Sequence, residues 1–194
     1  MPMYDVINQY VNRCVSFQEE ELALFNSLLQ YQVVPKKTFL LQEGEICQFE
    51  AYIVKGCIKS YFLNENGFEV ILTFATEDWW VSDMASFHEQ IPSRMYIETL
   101  EDCELLVLSP SAKEVLLEKA PRFERVFRLM VQRHLASYQE RLFGNIAKSA
   151  QERYLDFLQK YPTLPLRVPQ HQIAAYLGIS PEFLSKIRAR LSHK

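Results

Sequence analysis

Residues 170–191 read QHQIAAYLGISPEFLSKIRARL. Ile173, Ala174 and Leu177 fall on one face of a first short helix. Gly178 permits the positive backbone angle that a tight turn between crossed helices needs. Ile179 plugs the turn, Ser180 is a good N-cap, Pro181 takes the first helical position and Glu182 the first turn. Leu184, Ile187 and Leu191 mark the buried side of a second helix. Its other side carries Glu182, Ser185, Lys186 and Arg190, with Arg188 flanking. These are the parts of a DNA-binding helix-turn-helix. The same pattern also describes an ordinary helical hairpin with a solvated face, where Glu182 and Lys186 form an i,i+4 pair.

The charge around this stretch favours the first reading. The whole chain carries −3, which by itself argues against a nucleic-acid partner. From Lys148 onward, eight Lys and Arg (Lys194 among them) stand against three Asp and Glu. That is +5 for the tail and leaves −8 over residues 1–147, an acidic body with a basic end. With 48% hydrophobic and 23% charged residues, the 194-residue chain has the composition of a folded globular protein. No apolar run approaches a membrane span and the N-terminus lacks a signal-peptide core, so a cytoplasmic location without a membrane partner is expected. Cys14, Cys47, Cys57 and Cys103 are too scattered for a metal or iron–sulfur site and are expected to be reduced, mostly buried thiols.

Upstream, residues 4–30 read as helical, with Ser16 and Glu19 as a capping box and residues 31–35 leading out. Apolar runs at 38–41, 50–54, 58–63, 68–75, 95–99 and 103–109 then read as strands. Asn64-Glu65-Asn66-Gly67 gives a strong hairpin signal between the third and fourth. Short strands at this spacing imply a β-sandwich or small barrel. Ser109 or Ser111 caps a helix to about Lys119, and Pro121 opens a longer one. Phe127, Val131, Leu135, Tyr138, Leu142 and Ile146 stripe it at steps of four, four, three, four and four. A helix of about 25 residues, about 38 Å long, outruns a small β-domain, and a second copy of the helix would cover the rest. The alternative is a helix packed only within its own chain. Gly144-Asn145 is expected to bend it, Pro162 to Pro165 to stop the helix that follows, and residues 166–168 to form a short strand.

Strands, long helix and terminal helix-turn-helix, in that order, resemble the Crp/Fnr family of transcription regulators, the cyclic-AMP receptor protein and its relatives. The resemblance rests on residues 39–80, FLLQEGEICQFEAYIVKGCIKSYFLNENGFEVILTFATEDWW, on the segment from there to Ser109, and on QIAAYLGISPEFLSKI. It implies an α+β fold: a double-stranded β-helix or jelly-roll sensor of the cyclic-nucleotide-binding kind over residues 1–120, a dimerisation helix over 121–147 and a DNA-binding domain over 148–194. It also implies a homodimer through 121–147 and double-stranded DNA as partner. It further implies RNA polymerase as a possible partner and a small-molecule effector of unknown identity for the sensor.

In the family a short helix and its leading loop cradle a cyclic phosphate, with Gly-Glu before and Arg-Ser after. Here Ser82-Asp83 and Ser93-Arg94 stand in those places, so the arginine is displaced by one position onto the opposite strand face. Ser82, Asp83, Ser93, Arg94 and, on the long helix, Tyr138 are therefore the effector-pocket candidates. Without a guanidinium in place the phosphate loses its bidentate partner, so tight cyclic-AMP binding is not expected and no cofactor is assigned. The alternative is that Arg94 reaches the pocket through an altered loop. His88 and His134 are isolated haem-ligand candidates that read better as surface or packing residues, and Trp79 and Trp80 read as core or pocket lining.

The resemblance gives the DNA-binding residues as Ser180, Glu182, Phe183, Lys186, Arg188 and Arg190. Ser180 would meet a phosphate, Glu182 a cytosine amino group, Lys186 a guanine edge or phosphate and Phe183 a thymine methyl, with the two arginines on the backbone. Pro181 stands where some relatives carry a base-reading arginine. The sequence runs to Lys194, short of the winged hairpin of the family, so a helix-turn-helix without a full wing and salt-sensitive binding are expected. A dimeric transcription regulator is the favoured reading; an effector-sensing or scaffold protein of the same fold, with weak or lost DNA binding, is the alternative. An enzyme of cupin type is disfavoured, since no His-x-His and no catalytic triad or phosphate loop is present.

Overall fold

Alternate residues of the run CELLVL point to opposite sides of one strand, and both sides are buried. In the computed structural model, which describes residues 4–192, this run is the centre of a sheet covered on its two faces. The elements follow in the order α1 (Asp5–Cys14), α2 (Glu19–Leu28), β1 (Gln30–Val34), β2 (Phe39–Leu41), β3 (Glu50–Lys55), β4 (Ile58–Leu63), β5 (Glu69–Ala75), β6 (Trp80–Val81), α3 (Met84–Glu89), β7 (Tyr96–Thr99), β8 (Cys103–Leu108), α4 (Pro110–Lys119), α5 (Phe123–Ala147), α6 (Ala150–Lys160), α7 (Leu164–Arg167), α8 (Gln170–Leu177) and α9 (Pro181–Ser192). One four-stranded sheet runs β1-β8-β3-β6 and the other β2-β7-β4-β5. In the first, β8 pairs antiparallel with β1, Gln30 opposite Val107, and with β3, Ala51 opposite Val107.

The pleat sorts the side chains. Val34, Ala51, Ile53, Leu105 and Val107 of the first sheet meet Leu41, Ile58 and Ile97 of the second, forming the jelly-roll interior. Their neighbours Tyr52, Leu106 and Leu108 face the other way, against Ile7, Val11, Phe25, Leu116, Phe123 and Phe127 of the helices. Burial on both faces is why β3 and β8 read as continuous apolar runs. Cys47, Cys57 and Cys103 are buried thiols outside any disulfide, and burial pushes the Cys103 thiol up to about 11. Gly56, at φ +110, lies where an added Cβ would come within 2.5 Å of the Cys103 sulfur, so glycine is required there.

Chain contacts divide the molecule into two units, one of residues up to 60 with 74–133, the other of residues 61–73 with 134 onward. The first unit holds a buried ion pair. Lys113 Nζ on α4 donates to Glu50 Oε1 of β3 at 2.9 Å and lies 2.9 Å from Oε2. The same ammonium sits 4.2 Å from the centre of the Phe127 ring of α5 and 5.3 Å from that of Phe87 of α3. In the second unit Tyr154 and Phe157 of α6 are buried, as are Ile173 and Leu177 of α8 and Leu184 and Ile187 of α9.

Several local expectations are corrected. Residues 31–35 form most of β1, not a lead-out: the strand exposes Gln30 to Val33 and exists because β8 pairs with it. Ser16 does not cap the second helix. The Asn12 side chain holds the Phe17 N–H at 3.0 Å, and the cap falls on Gln18, whose N–H donates to Glu21 at 2.9 Å. Pro121 lies in a turn and the long helix begins at Phe123. It runs through Gly144 and Asn145 without a break. The interruption comes at Lys148, where Ser149 and Glu152 form a capping box for α6. Residues 166–168 are not a strand, because Pro165 supplies a helical φ and the Val168 N–H closes one turn onto Leu164. Ser109, by contrast, does cap α4, and Asn64 to Gly67 does turn the hairpin, with the Asn64 side chain accepting from two backbone N–H groups. Lys194, counted in the basic tail, lies outside the described residues.

The buried pair yields a prediction. Glu50→Gln leaves the Lys113 ammonium buried without its counter-charge and should cost about 3–5 kcal/mol in chemical denaturation. The double replacement Glu50→Leu with Lys113→Met should cost less than the single change, because the orphaned charge is gone; equal or larger loss would show that the pair itself contributes the stability.

Candidate nucleic-acid interface and effector cassette

The turn into α9 is built from local chemistry. Gly178 sits at φ +66, ψ +36, the left-handed end of α8, and the N–H groups of Gly178 and Ile179 return to Ala175 and Ala174 oxygens. Ser180 Oγ accepts the Phe183 N–H at 3.2 Å. The Glu182 carboxyl is held below its usual range, first by its own backbone N–H, then by the Ser180 hydroxyl and the Lys186 charge. Leu184 and Ile187 are fully buried, whereas Ser180, Glu182, Phe183, Lys186, Arg188 and Arg190 all point to solvent. The six residues expected at a DNA surface are therefore all exposed, Glu182, Phe183, Lys186 and Arg190 toward one side of α9, Arg188 on its flank and Ser180 at its cap, and Ser180 and Glu182 are engaged with each other.

The cassette around α3 closes on itself. Asp83 caps the helix, its Oδ1 accepting the Ser86 N–H at 3.2 Å, and its Oδ2 accepts the Ser93 hydroxyl at 2.7 Å. Ser93 Oγ also accepts the Met95 N–H at 3.1 Å. Ser86 Oγ donates to the Ile91 oxygen at 2.6 Å and accepts the Cys47 N–H at 2.8 Å. Asp83, Ser86 and Ser93 are all buried. Ser82 lies beside Cys47, oxygen to sulfur 3.6 Å, and Arg94 is exposed one residue past buried Ser93. The structure thus joins Asp83 to Ser93 and leaves Arg94 outside their network. Tyr138 belongs to α5 within the second unit and is about half exposed, at 48%. Trp80 is core, edge-on to Tyr10, Tyr52 and Phe127, and His88 is an exposed residue against Phe87.

The third feature is the later part of α5. Its first turns bury Phe123, Val126, Phe127 and Met130. From Val131 onward the apolar side chains face water: Leu135, Tyr138, Leu142, Phe143 and Ile146, the last 78% exposed.

Comparison with known proteins follows this geometry. Residues 31–120 match the model of the cyclic nucleotide-binding domain. The cAMP-activated global transcriptional regulator CRP of Escherichia coli O6:H1 is 22% identical over 164 residues, spanning 79% of this chain and 78% of the relative. Over most of its length the chain is thus similar to Crp/Fnr-type regulators, and residues 31–120 carry their cyclic nucleotide-binding domain. Solved structures share the fold across most of its length. CLP of Xanthomonas campestris, described as a c-di-GMP responsive global regulator, superposes with a TM-score of 0.75 at 17% identity, covering 91% of this chain and 92% of that one. FixK2 of Bradyrhizobium japonicum gives 0.75 at 19% identity, covering 85% of each chain. The α+β reading with a jelly-roll cyclic-nucleotide-type domain followed by C-terminal helices is thereby established. Of these relatives, CRP and CLP are named as transcriptional or global regulators. No described helix is long and apolar enough to cross a membrane, and the described residues contain no cluster of three or more metal-ligating side chains.

Sequence reasoning passed over two residues that hold the end of α8. Arg141 of α5 donates to the Tyr176 oxygen at 2.8 Å, and Arg153 of α6 to the Leu177 oxygen at 3.2 Å. Their partners lie 35 and 24 residues away, and a helical arginine carries no local mark of such a contact.

Proposed function

We propose that this Crp/Fnr protein is a homodimeric regulator that reads double-stranded DNA with α9 and whose cassette does not hold cyclic AMP tightly. The observation that carries the reading is the outer side of α9. It sets Lys186, Arg188 and Arg190 in solvent on a helix whose other side is fixed by Leu184 and Ile187. A basic helix side held rigid from behind is what major-groove entry needs. Residues 1–120 act as the sensor, 121–147 as the dimerisation helix and 148–194 as the DNA-binding part. A dimer would set two α9 helices about 34 Å apart for successive major grooves of a near-palindromic site. The protein acts in the cytoplasm, where its effect on transcription runs through RNA polymerase.

The cassette supports the second half of the proposal. Where the family fold holds a phosphodiester at the start of a short helix, this chain presents the carboxylate of Asp83, already bound by Ser86 and Ser93. A cyclic phosphate entering there finds no guanidinium, since Arg94 stands outside the Asp83–Ser93 network. The residues present do not fit the anion. The effector, if the sensor takes one, is of different chemistry; family relatives named for cAMP and for c-di-GMP indicate that one fold serves more than one ligand.

Calorimetric titration with cyclic AMP is expected to give a dissociation constant weaker than about 1 mM, since the charge-assisted phosphate contact is missing. Micromolar affinity would overturn that part of the reading. For the reader, selection from a random DNA pool should return a palindrome; no enrichment would favour a scaffold of the same fold without DNA binding. On the selected site Lys186→Ala should cost about 1–3 kcal/mol if the lysine meets a base, with relaxed preference at one position. It should weaken all sequences alike, with a salt slope smaller by about 1, if it meets a phosphate. Unchanged affinity at several salt concentrations sinks its role.

The dimer is tested separately. Val131, Leu135, Tyr138, Leu142 and Ile146 recur at the spacing of a coiled-coil seam. Leu142→Glu should convert the protein to a monomer in analytical ultracentrifugation at micromolar concentration and abolish binding to the palindrome. A dimer that survives the substitution would place the interface elsewhere.

A further inference from the structure

The C-terminal end of α8 is fully accounted for, and the accounting isolates one side chain. Four terminal carbonyls of a helix lack intrahelical partners. In α8 the Ala174 and Ala175 oxygens accept from Ile179 and Gly178 in the turn, the Leu177 oxygen accepts from Arg153, and the Tyr176 oxygen accepts from Arg141. Arg153 also donates to the Lys148 oxygen at 2.9 Å, so it serves the neighbourhood of its own helix. Arg141 reaches further. Its Nη2 donates to the Ile71 oxygen at 2.7 Å and its Nη1 donates to the Leu72 oxygen, both on β5. Its guanidinium carbon lies over the Tyr176 ring, 4.1 Å from the centre.

β5 is an outer strand of its sheet, with carbonyls that no further strand covers. Arg141 covers two of them while covering one at the negative end of the α8 dipole. It is met by carbonyls and a ring, with no carboxylate among the described residues, and burial lowers its pKa. A planar fork with five fixed donors can bridge three carbonyls in this way; a lysine ammonium at the end of a flexible stem holds them with far less definition. A second link runs parallel: the hydroxyl of Tyr161, the C-cap residue of α6, hydrogen-bonds the Thr73 side chain of β5 and also Tyr176 of α8.

We propose that Arg141 is the positioning residue for the reader: its guanidinium fastens the Tyr176 end of α8 to Ile71 and Leu72 of β5, and so fixes where the α8–α9 pair is held. The assignment rests on the proposed DNA-reading role of α9. It gives the 61–73 hairpin a direct hold on the reader, through a single side chain that contacts no DNA.

The test uses the full chain and two readouts. Hydrogen exchange is followed without DNA in the wild type, in Arg141→Lys and in Arg141→Gln, with Thr73→Val as a variant that loosens β5 by the other link. Both arginine variants should lose protection together in peptides covering residues 69–75 and 174–180, while peptides from 103–119 exchange as before. Thr73→Val should lose protection in 69–75 and keep it at 174–180. On the selected DNA site, Arg141→Lys should bind about tenfold more weakly, the value of one charged hydrogen-bond set. The salt slope should not change, because no phosphate contact is removed. Protection lost at only one of the two segments, or wild-type exchange in both arginine variants, overturns the fastening. Wild-type DNA affinity in a variant with lost protection overturns the positioning role. A wild-type protein that selects no DNA would refute the reading of α9, and with it positioning for DNA, while the exchange result still decides the fastening.

Discussion

The Lys113 ammonium is the point on which the first unit turns. A buried cation has to be answered where it lies, and Glu50 answers it from the central sheet at 2.9 Å. Two rings complete its surroundings, Phe127 from the start of the long helix and Phe87 from the cassette helix. One charge thereby sets the mutual placement of β3, α3, α4 and the first turns of α5. Apolar residues could fill the same volume, yet they would not specify which groups must meet. The pair fixes α3 from outside through Phe87, while Ser86 holds it from within through Ile91 and Cys47. The cassette is thereby tied from both sides, around the bond between Asp83 and Ser93.

What the sequence made legible follows from where each element finds its partners. The hairpin at Asn64 to Gly67 and the caps at Ser109, Ser149 and Ser180 are settled within a few residues, so local reading reaches them or their neighbourhood. β1 was hidden because four of its five residues face water and only pairing with Val107 to Cys103 makes it a strand. β6 is two residues long and exists by pairing with β3. At α7 apolar residues between prolines mimic a strand, and only the bond from Val168 to Leu164 reveals a helical turn. At Ser16 and Gln18 two plausible caps lie two residues apart, and the Asn12 side chain selects between them.

The sites divide in the same manner. The exposed side of α9 was readable because capping, turn and stripe all lie inside 22 residues. In the cassette the identities of Asp83 and Ser93 were readable as departures from the family. That they bind each other across ten positions required coordinates. Arg141 offered no signal at all, since a charged residue in a long helix is expected at the surface and its three acceptors are backbone atoms from two distant segments.

A common constraint connects these sites. Helix ends carry unpaired backbone groups, and a protein that binds ions at such ends must leave them open. Here they are closed from within: Asp83 fills the start of α3, Ser180 and Glu182 the start of α9, and Arg141 and Arg153 the end of α8. Backbone termini are therefore committed to holding the fold, and recognition falls to side chains that the fold leaves in water. Two such groups stand out, the apolar seam from Leu135 to Ile146 and the basic side of α9. An apolar seam recognises another such seam and a basic helix recognises an acidic duplex. The chemistry left at the surface after the helix ends are closed is thus apolar along α5 and cationic along α9, and on it the proposed dimer and the proposed DNA contact both rest.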